Sequence, residues 1–144
     1  MIVCAGPADA AKAAALALEL WPHNTQEELA EEFETLLSQT DCTVFLLETE
    51  DGPAGFAQCQ LRHDYVEGTE TSPVGYLEGI YVRPEYRRQG HGRTLLTACE
   101  QWAREQGCTE FASDCELENT HSAGFHEKLG FQEANRIICF TKKL

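Results

Sequence analysis

No stretch of the 144-residue chain approaches the roughly 18 apolar residues that a membrane span requires. The alanine-rich start lacks a basic leader, and Lys12 and Glu19 interrupt it, so a secretory signal is not expected. Basic residues are scarce: 11 Lys and Arg stand against 24 Asp and Glu, a net charge of −13. That balance argues against nucleic acid, whose phosphates call for basic patches, and against anionic membrane surfaces. It suits either a merely soluble surface or a cationic partner steered in from a distance. None of the seven cysteines belongs to a Cys-x-x-Cys pair, so no zinc site, and no metal, is expected. Several lie among apolar residues, where a free thiol packs as a small hydrophobe. They read as reduced thiols of a cytoplasmic protein. No repeat, low-complexity tract or linker divides the chain. With 42% apolar residues it reads as a single domain, 1–144, with a real core.

Periodicity supplies the elements. Ala13, Leu16, Ala17 and Leu20 mark one face of a helix from near Asp9 to Trp21. Pro22-His23-Asn24 breaks it. Thr25 with Glu28 forms a capping box for a second helix reaching about Gln39, whose carboxylates are either a solvated face or the wall of a cleft for a cation. Strands are expected at Thr43–Glu48, Ala54–Arg62 and Val74–Val82, the last ended by Arg83-Pro84. Gly90–Gln106 is amphipathic, with Leu95, Leu96, Cys99, Trp102 and Ala103 at helical spacing and Gly107 as its stop. A short strand at Phe111–Asp114, a helix from Thr120 to Leu129 and a closing strand at Asn135–Lys142 complete a mixed sheet with helices on both faces.

The stretch with most chemical content is Arg87-Arg88-Gln89-Gly90-His91-Gly92-Arg93-Thr94, which lies between a strand and a helix. Glycine there lets the backbone come close to a ligand and take positive φ. The unpaired N–H groups of the helix's first turn, aided by the helix dipole, suit a pyrophosphate, and Arg88 and Arg93 add charge. A plain capping loop is the competing reading of the same pattern.

Its context decides between them. Leu77-Glu78-Gly79-Ile80-Tyr81-Val82-Arg83-Pro84-Glu85-Tyr86 precedes the loop, and Phe125-His126-Glu127-Lys128-Leu129-Gly130-Phe131 follows. This order resembles the GCN5-related N-acetyltransferase (GNAT) superfamily from about Phe56 onward. A narrower resemblance, to bacterial aminoglycoside 6'-N-acetyltransferases, rests on Leu20-Trp21-Pro22, Arg62-His63-Asp64-Tyr65-Val66, Ser72-Pro73-Val74, Phe111-Ala112-Ser113-Asp114 and Glu118-Asn119-Thr120. It implies a GNAT fold of the α/β (α+β) kind with a mostly antiparallel sheet, acetyl-CoA as co-substrate, and a cationic aminoglycoside as acceptor. It also implies a homodimer.

Carried over residue by residue, the resemblance places the pantetheine arm along Ile80, Tyr81 and Val82. The pyrophosphate falls on Arg88, Gln89, Gly90, His91, Gly92, Arg93 and Thr94. Asn119 matches a cofactor-binding residue, while its local chemistry is that of a helix cap. Acceptor contacts fall on Trp21, His23, Glu78 and Asp114, and on Tyr65 from across a dimer interface. Chain length after Trp21 differs from some relatives, which bears on His23, and Asn135 stands where a relative carries an acid. Glu78 is the expected proton acceptor, and Gly79 beside it suggests a strand bulge that aims it. His126 occupies the position of the family's general acid. The same superfamily would also serve a polyamine or a protein amine, and a silent acyl-CoA-binding module would keep the loop without the acids.

Overall fold

In the computed structural model, which describes residues 1–144, five strands form one sheet in chain order. They are β1 (Ile2–Cys4), β2 (Cys42–Thr49), β3 (Gly52–Arg62), β4 (Val74–Val82) and β5 (Phe111–Ser113). The first three pairings are antiparallel and β4–β5 is parallel, giving the mixed, mostly antiparallel α+β sheet that was expected. The helices are α1 (Ala10–Leu20), α2 (Gln26–Leu37), α3 (His91–Glu105) and α4 (Thr120–Lys128).

Alternation along the strands builds a core on each face of the sheet. Val44, Leu46 and Phe56 pack against Ala13, Leu16 and Ala17 of α1 and Leu29 and Phe33 of α2. Leu47, Ala57, Cys59 and Leu77 point the other way, onto Leu95, Leu96 and Cys99 of α3. The helix ends follow their local signals. Thr25 Oγ1 accepts from the Glu28 N–H at 3.2 Å and Glu28 Oε2 accepts from the Thr25 N–H at 3.0 Å, a closed capping box. Gly107, just past α3, has φ of 90°, the left-handed geometry of a helix stop.

Two differences from the sequence reading stand out. The short β1 was not foreseen: its three residues carry no periodicity, and it exists because Ile2, Val3 and Cys4 pair with Leu47, Leu46 and Phe45. The strand expected at Asn135–Lys142 is not formed. Residues 132–144 enter no backbone–backbone hydrogen bond, and Ile137, Ile138 and Phe140 are 69%, 79% and 86% exposed. The segment has strand-like residues, but a strand also needs a neighbouring edge, and this chain lays none beside it. No helix is long and apolar enough to cross a membrane.

Candidate functional site

The site is set by where β4 loses its second neighbour. β5 pairs only with Gly75, Tyr76 and Leu77, while β3 continues alongside β4 to Val82. From Glu78 onward the outer edge of β4 has no strand partner. Its backbone groups can pair with an extended amide-bearing ligand as a further strand would. Ile80, Tyr81 and Val82 lie on this stretch, as assigned. The Arg87 Nε donates to the Val82 carbonyl at 2.7 Å and closes its end.

The bulge anticipated at Gly79 is present. Gln58 faces Gly79 and Cys59 faces Leu77, so Glu78 is the extra residue. The lack of a side chain at Gly79 has a direct cause. A Cβ there would stand 2.8 Å from the Trp21 indole, which covers this point from the end of α1. Trp21 is held edge-to-face on Phe56 at 6.0 Å, so the indole covers the bulge at the residue after Glu78.

Glu78 does not stand alone. Arg62, at the end of β3, donates from Nε (3.0 Å) and Nη2 (2.8 Å) to Glu78 Oε1 and from Nη2 to Oε2 (3.0 Å). The guanidinium lies 3.5 Å over the Tyr76 ring, and the Tyr76 hydroxyl donates to Asp114. Burial, then the bond to Asp114 and its charge, push the Tyr76 phenol up, so it remains a donor. Sequence reasoning missed Arg62 and Tyr76. Arg62 opens the motif that contains Tyr65 but was given no role there, Tyr76 lies in no motif, and their placement depends on the β3–β4–β5 register. An open cleft of about 550 Å³ adjoins, lined by Glu28, Glu31, Glu32, Thr35, Leu36, Gln39, Cys42 and Gln60. Burial, then the charges of Asp41 and Glu78, push the Cys42 thiol up. The carboxylates of α2 therefore wall a cleft.

At the far end of β4 the loop turns into α3. Arg88 and Gly90 both take left-handed geometry, with φ of 61° and 81°. Gly90 is the N-cap and offers no side chain, so the first-turn N–H groups of His91, Gly92 and Arg93 stay uncapped and form an anion-binding concavity. Gln89 and Thr94 face the same loop from within: Gln89 Nε2 reaches the Glu85 carbonyl at 3.5 Å and Thr94 Oγ1 donates to the Gly90 carbonyl at 3.0 Å. Gly92 has a structural reason besides ligand approach, since a Cβ there would lie 2.9 Å from the Phe125 ring of α4.

His126, also on α4, sits beside the split. Its Nδ1 is 2.7 Å from the Ser122 carbonyl and its Nε2 is 2.8 Å from Ser113 Oγ. A carbonyl only accepts, so Nδ1 carries the hydrogen, while the Ser113 hydroxyl beside Nε2 also reaches the Leu77 carbonyl at 3.4 Å. Asn119 caps α4 through Oδ1 to the Ser122 N–H at 3.1 Å. His23 is exposed next to Asn24, and Tyr65 is 78% exposed on the loop between β3 and β4. Asn135 donates to Glu67 on that loop at 2.9 Å. No group of three or more His, Cys, Asp or Glu is placed to hold a metal ion.

Comparison with known proteins bears on this arrangement. Residues 11–131 match the acetyltransferase (GNAT) family. The chain is 45% identical over 141 residues to an aminoglycoside N(6')-acetyltransferase type 1 of Stenotrophomonas maltophilia, covering 97% of this chain and 91% of that protein. It superposes on AAC(6')-Iy bound to a CoA–acetylneamine bisubstrate analogue with a TM-score of 0.95 at 34% identity, covering 100% of this chain and 98% of the other. The AAC(6')-Ih aminoglycoside 6'-N-acetyltransferase of Acinetobacter baumannii superposes with a TM-score of 0.93 at 37% identity over the same shares. The split sheet, the uncapped loop before α3 and these likenesses agree: the chain belongs to the acetyltransferase (GNAT) family, alongside the type 1 aminoglycoside N(6')-acetyltransferases.

Proposed function

We propose that the protein is an acetyl-CoA-dependent aminoglycoside 6'-N-acetyltransferase that confers resistance by acetylating the drug's 6'-amine. The observation that carries this reading is the bulge at Glu78. It sets a carboxylate, next to the glycine that the Trp21 indole covers, on the strand whose open edge leads to the loop before α3. Carboxylates suit the ammonium groups of an aminoglycoside, and the indole suits a sugar face or a cation. The uncapped N–H groups at Gly90–Arg93 fit a pyrophosphate, and the free edge at Ile80–Val82 fits the amides of a pantetheine arm.

In the transfer a C–N bond forms and the thioester C–S bond breaks. The acceptor ammonium loses two protons, one of which ends on the sulfur. Glu78 takes a proton from the acceptor as it attacks. A β4 backbone N–H at Ile80 or Tyr81 polarises the thioester carbonyl. His126, whose Nε2 meets Ser113 beside the split, takes the general-acid role and in its protonated form returns a proton to the thiolate. Much of the rate comes from holding both substrates in one geometry. Seven free thiols and the use of acetyl-CoA fit work in the cytoplasm.

The working form is a homodimer in this reading, with Tyr65 reaching the partner's acceptor site. The apolar Ile137, Ile138 and Phe140 left in water favour a second copy as their cover, and the Asn135–Glu67 bond keeps that segment next to the Tyr65 loop.

The direct test is Glu78→Gln. Turnover of kanamycin should fall by about a hundredfold or more while acetyl-CoA affinity holds. Parental turnover would move the proton acceptor elsewhere. For assembly, Tyr65→Ala and Glu78→Gln chains are mixed. Shared sites regenerate one intact site per mixed dimer and restore activity. A monomeric mass with no recovery would end the dimer proposal.

A further inference from the structure

The two carboxylates assigned to the acceptor, Glu78 and Asp114, are joined through Arg62 and Tyr76, to which the resemblance assigns no role. The chain of contacts runs Asp114, Tyr76 hydroxyl, Tyr76 ring, Arg62 guanidinium, Glu78. It crosses three neighbouring strands: Arg62 ends β3, Tyr76 and Glu78 lie on β4, and Asp114 follows β5. Tyr76 is buried in a small cluster with Val66 and Val74, so the middle of this chain is fixed by packing. Arg62 contributes its flat face to Tyr76 and two nitrogens to one carboxylate. A guanidinium used on its face and its edge together has little freedom left.

A residue on a bulge has lost the strand pairing that would otherwise orient it. Glu78 is that residue, and it needs another restraint. We propose that Arg62 is a positioning residue for acetyl transfer: its fork fixes the orientation of the Glu78 carboxylate at the β4 bulge, and its stack on Tyr76 ties that orientation to Asp114. The inference rests on Glu78 being the proton acceptor. The network as built holds two carboxylates and one permanent cation, so it is one negative charge short of what its acids alone would present. Arg62 is therefore kept at some expense in attraction for a polycation, which orientation of Glu78 offsets.

That trade gives a signature that a merely structural role does not. In Arg62→Gln the site becomes more negative, so the KM for kanamycin should stay level or fall, while kcat drops by about tenfold to a hundredfold because Glu78 is no longer aimed. Arg62→Lys keeps the charge without the fork and should recover only part of the lost kcat. Tyr76→Phe, which removes only the hydroxyl to Asp114, should move kcat in the same direction by less. Acetyl-CoA affinity and thermal midpoint, measured on each variant, report on the fold. In a Glu78→Gln background, Arg62→Gln should add almost nothing, because its action passes through the missing carboxylate. Slow turnover in Glu78→Gln together with parental kcat in Arg62→Gln overturns the positioning role and leaves Glu78 in place. Parental turnover in Glu78→Gln removes the premise itself. A raised KM with unchanged kcat in Arg62→Gln, or full recovery by lysine, also overturns the proposal.

Discussion

Gly79→Ala adds one methyl group where the Trp21 indole lies on β4, one residue past Glu78. The new carbon would stand 2.8 Å from two atoms of the Trp21 ring, closer than real Cβ contacts come. Gly79 has no positive φ, so the substitution acts through space alone. The ring cannot retreat inward. It rests edge-to-face on Phe56, which rests in turn on Phe33 at 6.1 Å, and both phenylalanines are buried. Forcing a methyl into such packing costs about 1–3 kcal/mol when nothing moves. Trp21 is only half-buried, so the cheaper response is to swing its indole outward. Stability then falls by about 1 kcal/mol or less, and, on the proposed stacking of the drug against this ring, its KM rises by about tenfold for each 1.4 kcal/mol of lost contact. Thermal unfolding gives the first quantity, and steady-state kinetics with kanamycin and acetyl-CoA varied separately give the second. The acetyl-CoA KM should hold, because the loop before α3 is untouched. A variant with parental stability and parental drug KM would refute the close packing of Trp21 on Gly79.

Three further outcomes follow from other parts of the molecule. Gly90→Val has open space around it but must hold φ of 81°, so it should distort the uncapped turn and weaken acetyl-CoA binding by about tenfold, read by calorimetry; unchanged affinity would take the loop out of the site. Glu110 accepts from the Thr71 hydroxyl and the Glu70 and Thr71 N–H groups, which hold its carboxyl below the usual carboxylate range. Its stabilising effect is therefore complete above the ordinary carboxylate pKa and is lost as pH falls through the lowered folded value. Glu110→Gln should lower the thermal midpoint near neutrality and converge with the parent in acid; a constant difference at all pH would contradict this. Raising ionic strength from about 0.1 to 1 M shortens the screening length from about 10 to 3 Å, so the drug KM should rise steeply for a chain of net charge −13; a flat response would deny charge steering.

What was legible in the sequence was local or carried by a motif. The Thr25–Glu28 box, the Gly107 stop and the Gly79 bulge each follow from a few adjacent residues, and each is where it was expected. The loop before α3 is a contiguous run whose left-handed residues are Arg88 and Gly90. What was missed depends on register between distant segments. β1 exists only through Leu47, Leu46 and Phe45, more than forty positions away. Arg62 and Tyr76 matter because β3 and β5 flank β4 at that level. Gly92 was read for its approach to phosphate alone, since Phe125 on α4 is invisible from the loop. The expected last strand had the right residues, Ile137, Ile138 and Phe140, but composition does not supply a neighbouring edge.

The central claim is the chemistry at one amine, and it is tested by incubating the protein with acetyl-CoA and an equimolar set of kanamycin, spermidine and a lysine peptide, then locating the acetyl group by NMR. The account predicts one acetyl group on kanamycin, at the 6'-amine, with thiol release matching it. Acetylation of spermidine or the peptide with kanamycin untouched, or of kanamycin at another amine, would contradict it.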